Sequence, residues 1–177
     1  MNPQNVVTRK ILLLIVVALI TAGCNLSAHS PASEPADFFA RVKISQGSMK
    51  TSIPLGQRLT IVNLFEEFCT ECPTGSRFET MERLYLSRQT TTKIFVVFSE
   101  TRFSTQDVEN FKEILSMPDS LVQGDIESMT PYLIKGKLLI VFDANKRVVW
   151  QEKPEMSEQQ VFSAISGLMQ IHGNESQ

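Results

Sequence analysis

Cys69 and Cys72 are separated by two residues in the run Thr60–Pro73, TIVNLFEEFCTECP. Two thiols that close support three kinds of chemistry. In thiol–disulfide exchange one thiolate attacks a partner's sulfur and the second thiol resolves the mixed disulfide. Zinc would want about four ligands, and the two histidines, His29 and His172, lie near the ends of the chain. A structural bridge across so short a loop would restrain little of the unfolded chain. Exchange is the chemistry that needs both sulfurs, and it calls for no metal or cofactor.

The flanking residues decide how the thiols are held. Before them Ile61, Val62, Leu64 and Phe65 make the β-branched and aromatic run of a buried strand. After them Phe78, Met81, Leu84 and Tyr85 recur at helical spacing, which predicts a helix to about Arg88. Pro73 is tolerable in its first turn. The pair therefore falls where a strand passes into a helix. Unpaired N–H groups there, with the positive end of the helix dipole, favour thiolate. Cys69 reads as the exposed nucleophile and Cys72 as the resolving thiol. Glu66, Glu67 and Glu71 oppose the thiolate, and Glu71 stands between the sulfurs in sequence.

Strand, C-x-x-C and helix in that order resemble the redox site of the thioredoxin fold. The approach LGQRLTIVNLFEEFC (Leu55 to Cys69) is similar to that of TlpA-like, membrane-anchored thioredoxin-like proteins. The resemblance spans about Phe38 to Leu168. It implies an α/β three-layer sandwich, a mixed central sheet with helices on both faces, and exchange with dithiols or disulfides of other exported proteins. It also places a cis-proline before the strand Leu138–Phe142, where this chain has Lys137. A lysine there would lend positive charge to the thiols and partly offset the glutamates. Glu71 and Lys137 are thus the expected modulators, and the charge balance favours a reductant.

Two further function classes remain open. Cys72-Pro73-Thr74 resembles the peroxidatic Cys-Pro-Thr of peroxiredoxins. That reading implies an active-site arginine, for which Arg147 is a candidate. The other class is a redox-inactive module that uses the thioredoxin groove for docking.

The N-terminus supplies the compartment. Arg9 and Lys10 precede an apolar run, Ile11 to Ile20, too short to span a bilayer comfortably. Residues 1–23 read as an export signal. Its end, Ile20-Thr21-Ala22-Gly23-Cys24, resembles a bacterial lipoprotein processing site, which implies lipid on Cys24 and membrane attachment. An ordinary signal peptide, leaving a bare Cys24 thiol, is the alternative. Asn25 in place of aspartate favours the outer membrane, with the domain facing the periplasm. Residues 24–37 are rich in Ser, Ala and Pro and read as a tether. Residues 38–172 are one domain of ordinary size, and 173–177 a disordered tail. The signal takes two of the 17 basic residues, leaving 15 against 19 acidic ones, a net charge of about −4. They are scattered, so no nucleic-acid footprint is expected.

Along the domain, Arg41–Ile53 reads as a hairpin around Gly47-Ser48. Thr91–Ser99 reads as a buried strand parallel to the first, since a helix links the two. Ser104 or Thr105 caps a helix whose stripe is Val108, Phe111, Ile114 and Leu115. A short strand at Ser120–Val122 and a short helix before Pro131 follow. Lys137–Phe142 and Arg147–Gln151 flank an Asp/Asn-rich turn, a second hairpin. Ser157 and Gln160 form a capping box for a last helix that buries Val161, Ile165, Leu168 and Met169. The central-strand core is Ile61, Val62, Leu64, Val96, Val97, Leu139, Ile140 and Val141.

Overall fold

The computed structural model describes residues 38–46, 48–66, 74–134 and 136–174, with the side chains of 74–76, 173 and 174 outside the description. In chain order the elements are a single-turn helix α1 (Phe38–Arg41) and strands β1 (Lys43–Gln46), β2 (Met49–Ser52) and β3 (Leu59–Phe65). Helix α2 (Thr74–Ser87), strand β4 (Thr92–Ser99) and helix α3 (Thr105–Ile114) follow. A 3-10 turn at Pro118–Ser120 leads into β5 (Leu121–Asp125), and a 3-10 helix at Glu127–Tyr132 into β6 (Lys137–Asp143). Strand β7 (Val148–Gln151) and helix α4 (Glu158–Asn174) complete the described chain. Among these residues no helix is long and apolar enough to cross a membrane.

The seven strands form one mixed sheet in the order β2-β1-β5-β4-β3-β6-β7. β3 lies inside it, parallel to β4 from Leu59 opposite Thr92 to Phe65 opposite Phe98. On its other edge it runs antiparallel to β6, from Leu59 opposite Asp143 to Phe65 opposite Lys137. With partners on both edges and cover on both faces, all seven of its residues are buried. This is why the strand reads as a continuous apolar run instead of an alternation. β4 also pairs in parallel with β5, whose outer edge takes the β1–β2 hairpin. Gly124 is obligatory at that junction, because a Cβ there would lie 2.5 Å from the Lys43 carbonyl oxygen.

The two faces are covered unequally. One carries α2, α3 and α4: Phe78, Met81, Leu84, Val108, Val161, Ile165 and Met169 pack on Leu59, Ile61 and Phe65. Crossovers β3-α2-β4 and β4-α3-β5 step the same way across the sheet, and a right-handed connection then puts both helices on one side. The other face, Val62, Leu64, Val97 and Ile140, is covered by Phe38 and Val42 at α1 and by Ile126 and Met129 at the Glu127–Tyr132 turn. The expected sandwich is there, with a thick helical layer and a thin one.

Local signals hold at most ends. Ser104 caps α3 in a capping box with Asp107, and Ser157 and Gln160 exchange side-chain-to-backbone bonds at the start of α4. The Val148–Gln151 hairpin is antiparallel to β6, with a register shift at Val141/Phe142. Ile114 departs from expectation: it is 76 % exposed. α3 ends at Ile114, and the chain turns extended at Leu115, so Leu115 packs on the core while Ile114 is left outside the stripe. Helix α4 runs on through His172, whose carbonyl accepts from Arg58 Nη1, and ends at Asn174.

All eight expected core residues on β3, β4 and β6 are fully buried. Truncating Leu139 or Ile140 to Ala should each cost about 2–5 kcal/mol. Urea unfolding checks this; an unchanged midpoint in both variants would contradict the packing described.

Candidate functional site

β3 ends at Phe65 and α2 begins at Thr74. Cys69 and Cys72 lie in the segment between, outside the described residues, as do Glu67, Glu71 and Cys24. What is described is a polar cluster at the C-terminal end of β3.

Its centre is Arg77, the fourth residue of α2. The side chain is 1 % exposed, the largest fully buried one among the described residues. A buried guanidinium must have its charge and its donors matched, or desolvation makes it prohibitive. Nη1 donates to Glu152 Oε2 at 3.0 Å and to Asn63 Oδ1 at 3.0 Å, and Nη2 donates to Glu152 Oε1. Nε donates to Glu158 at 2.9 and 3.1 Å. Lys137 Nζ donates to Glu158 Oε1 at 2.8 Å. Two cations thus meet two carboxylates, and the set is neutral when all are ionised. Burial by itself would lower the Arg77 pKa, but Glu152 and Glu158 raise it further and keep the guanidinium charged. Burial would likewise raise the Glu158 pKa, and bonds from Arg77 and Lys137 outweigh it, holding the carboxylate below its usual range.

Five elements converge here. Asn63 is the amide inside β3, buried between Ile61 and Phe65. Glu152 follows β7, its N–H bonded to the Leu139 carbonyl. Glu158 opens α4, where a carboxylate also complements the helix dipole. Lys137 opens β6 after Gly136, whose φ of 73° favours glycine. The Gly136 carbonyl accepts from the Glu66 N–H at 2.8 Å, continuing the β3–β6 ladder one step past Phe65. The Glu66 carboxylate accepts from Thr130 Oγ1 at 3.0 Å.

Of the expected modulators, Lys137 is therefore placed at the C-terminal end of β3, with its ammonium engaged by Glu158. Arg147, the candidate arginine of a peroxidase reading, is not at this end. It is exposed beside the Asp143–Lys146 turn. The length of β6, about 20 Å, separates that turn from Lys137. Sequence reasoning missed Arg77, Asn63, Glu152 and Glu158. Two signals were present: Asn63 interrupts an otherwise apolar strand, and Arg77 keeps the spacing of Met81 and Leu84, so it lies on the buried stripe of α2. Glu152 and Glu158 carried none.

No protein-family model matches the chain, and no curated protein matches it. Solved structures do. Peroxiredoxin Q of Xanthomonas campestris superposes with a TM-score of 0.54 at 14 % identity, over 80 % of this chain and 97 % of that one. The bacterioferritin comigratory protein of Xanthomonas campestris gives 0.53 at 10 % identity, over 78 % and 94 %. The fold is thioredoxin-like. StoA from Bacillus subtilis overlaps more loosely, with a TM-score of 0.45 at 16 % identity over 65 % of this chain and 87 % of that one. At these identities the likeness concerns the fold alone. In this thioredoxin-like sheet the C-x-x-C segment leaves the C-terminal end of a central strand, the Arg77 cluster lies on the helical face, and α2 starts beside it.

Arg77→Met should destabilise the domain by about 3–5 kcal/mol, because it leaves Glu152 buried without its partner. Glu158 has a depressed folded pKa, so its contribution is complete above its unfolded value, about 4.3, and is lost as pH falls through the folded one. Glu158→Gln should therefore flatten the fall in stability below about pH 5. Urea midpoints measured from pH 7 to pH 3 check both.

Proposed function

We propose that this chain is an exported, membrane-tethered thioredoxin-like protein that performs thiol–disulfide exchange through Cys69 and Cys72, reducing other exported proteins. The observation that carries the reading is the setting of C-x-x-C between the end of buried β3 and the start of α2 in a thioredoxin-like fold. A helix start favours thiolate at the preceding residues. Cys69 attacks the partner's disulfide, and Cys72 then displaces it, leaving the Cys69–Cys72 disulfide to be reduced by electrons from across the membrane. Glu71 and its neighbours disfavour the thiolate, and a less stabilised thiolate makes a more reducing pair.

Equilibrating the protein with dithiothreitol or glutathione buffers tests this. The potential should lie nearer that of thioredoxin, about −270 mV, than that of the strong periplasmic oxidases, about −120 mV. Glu71→Gln should raise it. Brief iodoacetamide treatment of the reduced protein should label Cys69 ahead of Cys72. A pair that never cycles would defeat the assignment. Cys72-Pro73-Thr74, immediately before and into α2, supports a second reading as a peroxidase, which peroxide consumption and preferential labelling of Cys72 would favour.

The signal-like segment and Cys24 support the cellular setting: lipid on Cys24, residues 24–37 as tether, and the domain on the periplasmic side of the outer membrane. Labelled fatty acid should enter the protein, and Cys24→Ala should release it from the membrane fraction. A Cys24→Ala form that stays with the membrane would contradict this.

A further inference from the structure

β4 is paired on one edge from its first residue and on the other only in part. β3 accompanies it from Thr92, opposite Leu59, to Phe98, opposite Phe65. β5 joins later, with Leu121 opposite Val96. The residues before Leu121 do not extend that ladder. They fold into the Pro118–Ser120 turn, where the Ser120 N–H donates to the Met117 carbonyl and the Leu121 N–H to that of Pro118. A gap is left in the sheet beside the first half of β4.

Backbone alternation fixes what faces the gap. A strand residue turns its N–H and carbonyl to one edge, and the next residue turns them to the other. The Glu100 N–H donates to the Gly124 carbonyl of β5 at 2.9 Å, so the even-numbered residues of β4 face β5. Thr92 and Ile94 therefore face the gap. The Thr92 N–H is taken by the Gln89 carbonyl at 3.0 Å. The Thr92 carbonyl and both backbone groups of Ile94 have no partner there among the described residues. Ile94 is 3 % exposed, and buried backbone groups without partners are rare. An unpaired strand edge is a template for another strand.

A cleft of about 640 Å³ lies at this gap, lined among others by Tyr85, Arg88, Lys93, Ile94, Phe95 and Asp119. Ile94 belongs to the core under the helices and Phe95 to the core on the other face, so a cleft that touches both lies in the plane of the sheet. It has a ring and a cation on each side. On the helical side the Arg88 guanidinium lies over the Tyr85 ring, 3.3 Å from its centroid. On the other side Lys93 shares its face of β4 with Phe95. Lys93 is exposed and joins no ion pair among the described residues. Two cations against one carboxylate make the lining net positive, in a chain whose net charge is −2. The gap is at the Leu59 end of β3, the far end from Phe65 and Lys137.

We propose that this gap is a docking site for an extended acidic peptide of a partner protein, which adds to the sheet as a strand beside β4. The peptide backbone bonds the Thr92 carbonyl and the two groups of Ile94. Its side chains alternate between Tyr85 with Arg88 and Phe95 with Lys93, so carboxylate and apolar side chains are matched on either side. Recognition of this kind takes affinity from main-chain bonds and specificity from the alternate side chains.

The probe is a fluorescein-labelled, end-blocked heptapeptide of alternating valine and glutamate, titrated into the full chain and read by anisotropy. One control peptide carries lysine in place of glutamate. Two others are N-methylated at the valine amides or at the glutamate amides. The glutamate peptide should bind, more weakly as salt is added, and should slow hydrogen exchange at the Ile94 amide. Lys93→Glu should weaken it about tenfold and favour the lysine peptide instead. One set of peptide amides faces β4, so at least one methylated peptide should lose binding. No binding, binding indifferent to Lys93→Glu, or binding that both methylated peptides keep overturns the proposal. So does an Ile94 amide already protected in the free chain, since a segment of this chain then fills the gap. Protection that grows with protein concentration also overturns it, since a second copy is then the occupant. Should Lys93→Glu not fold, the glutamate and lysine peptides on the wild-type chain decide, and equal affinity overturns the proposal.

Discussion

A strand buried on every side is the constraint around which this domain is built. β3 has a neighbour on each edge and a layer on each face, so a polar side chain on it calls for a partner inside the protein. Six of the seven positions carry aliphatic, aromatic or threonine side chains. The seventh, Asn63, breaks the run. Its Oδ1 is matched by Arg77, while its Nδ2 has no partner among the described residues. One amide in the core strand thus accompanies a guanidinium from α2, and the guanidinium in turn requires Glu152 and Glu158. The polar cluster holds α2, α4 and the β6–β7 hairpin in mutual register at the end of the sheet where the cysteine segment departs. Apolar contacts alone would permit more sliding there, because they have no preferred direction.

The same strand explains the asymmetry of the layers. Crossovers of one hand that step one way along a sheet leave their helices on a single face. The aromatic side chains gather on that face: Phe65, Phe78, Phe98 and Phe111 lie with neighbouring ring centroids 5.1–6.1 Å apart. Offset and stacked rings at such separations add to area burial. They tie α2 and α3 to the sheet through aromatic contacts. The opposite face needs only a single-turn helix and a 3-10 helix, since a hairpin at β1–β2 extends the sheet instead of covering it.

Function in this fold is a property of a few residues mounted on a shared frame. A peroxiredoxin and an alkyl-peroxide-reducing protein superpose on this chain, and identities of 10–14 % leave the chemistry to be argued from its own residues. Arg147 illustrates the point. It is exposed beside the Asp143–Lys146 turn, the length of β6 away from Lys137. Arg77 is a buried cation, joined through Glu158 to Lys137 at the opposite end of β6.

The sequence by itself determined the central strands, the helices and both hairpins, because these depend on local period and on turn chemistry. β3 and β4 are legible as β-branched runs, α3 as a Ser/Thr cap and α4 as a capping box, each followed by an apolar stripe, and the β6–β7 turn as an Asp/Asn cluster. It also marked Cys69 and Cys72, since two thiols at that spacing before a helix are informative without coordinates. Tertiary structure alone decided which helices share a face, that Ile114 points outward, and that Lys137 is compensated. It alone assembled Arg77 with Glu152 and Glu158. These are facts of long-range register: each residue is unremarkable in its own window, and the bond that gives it meaning joins segments brought together only by closure of the sheet.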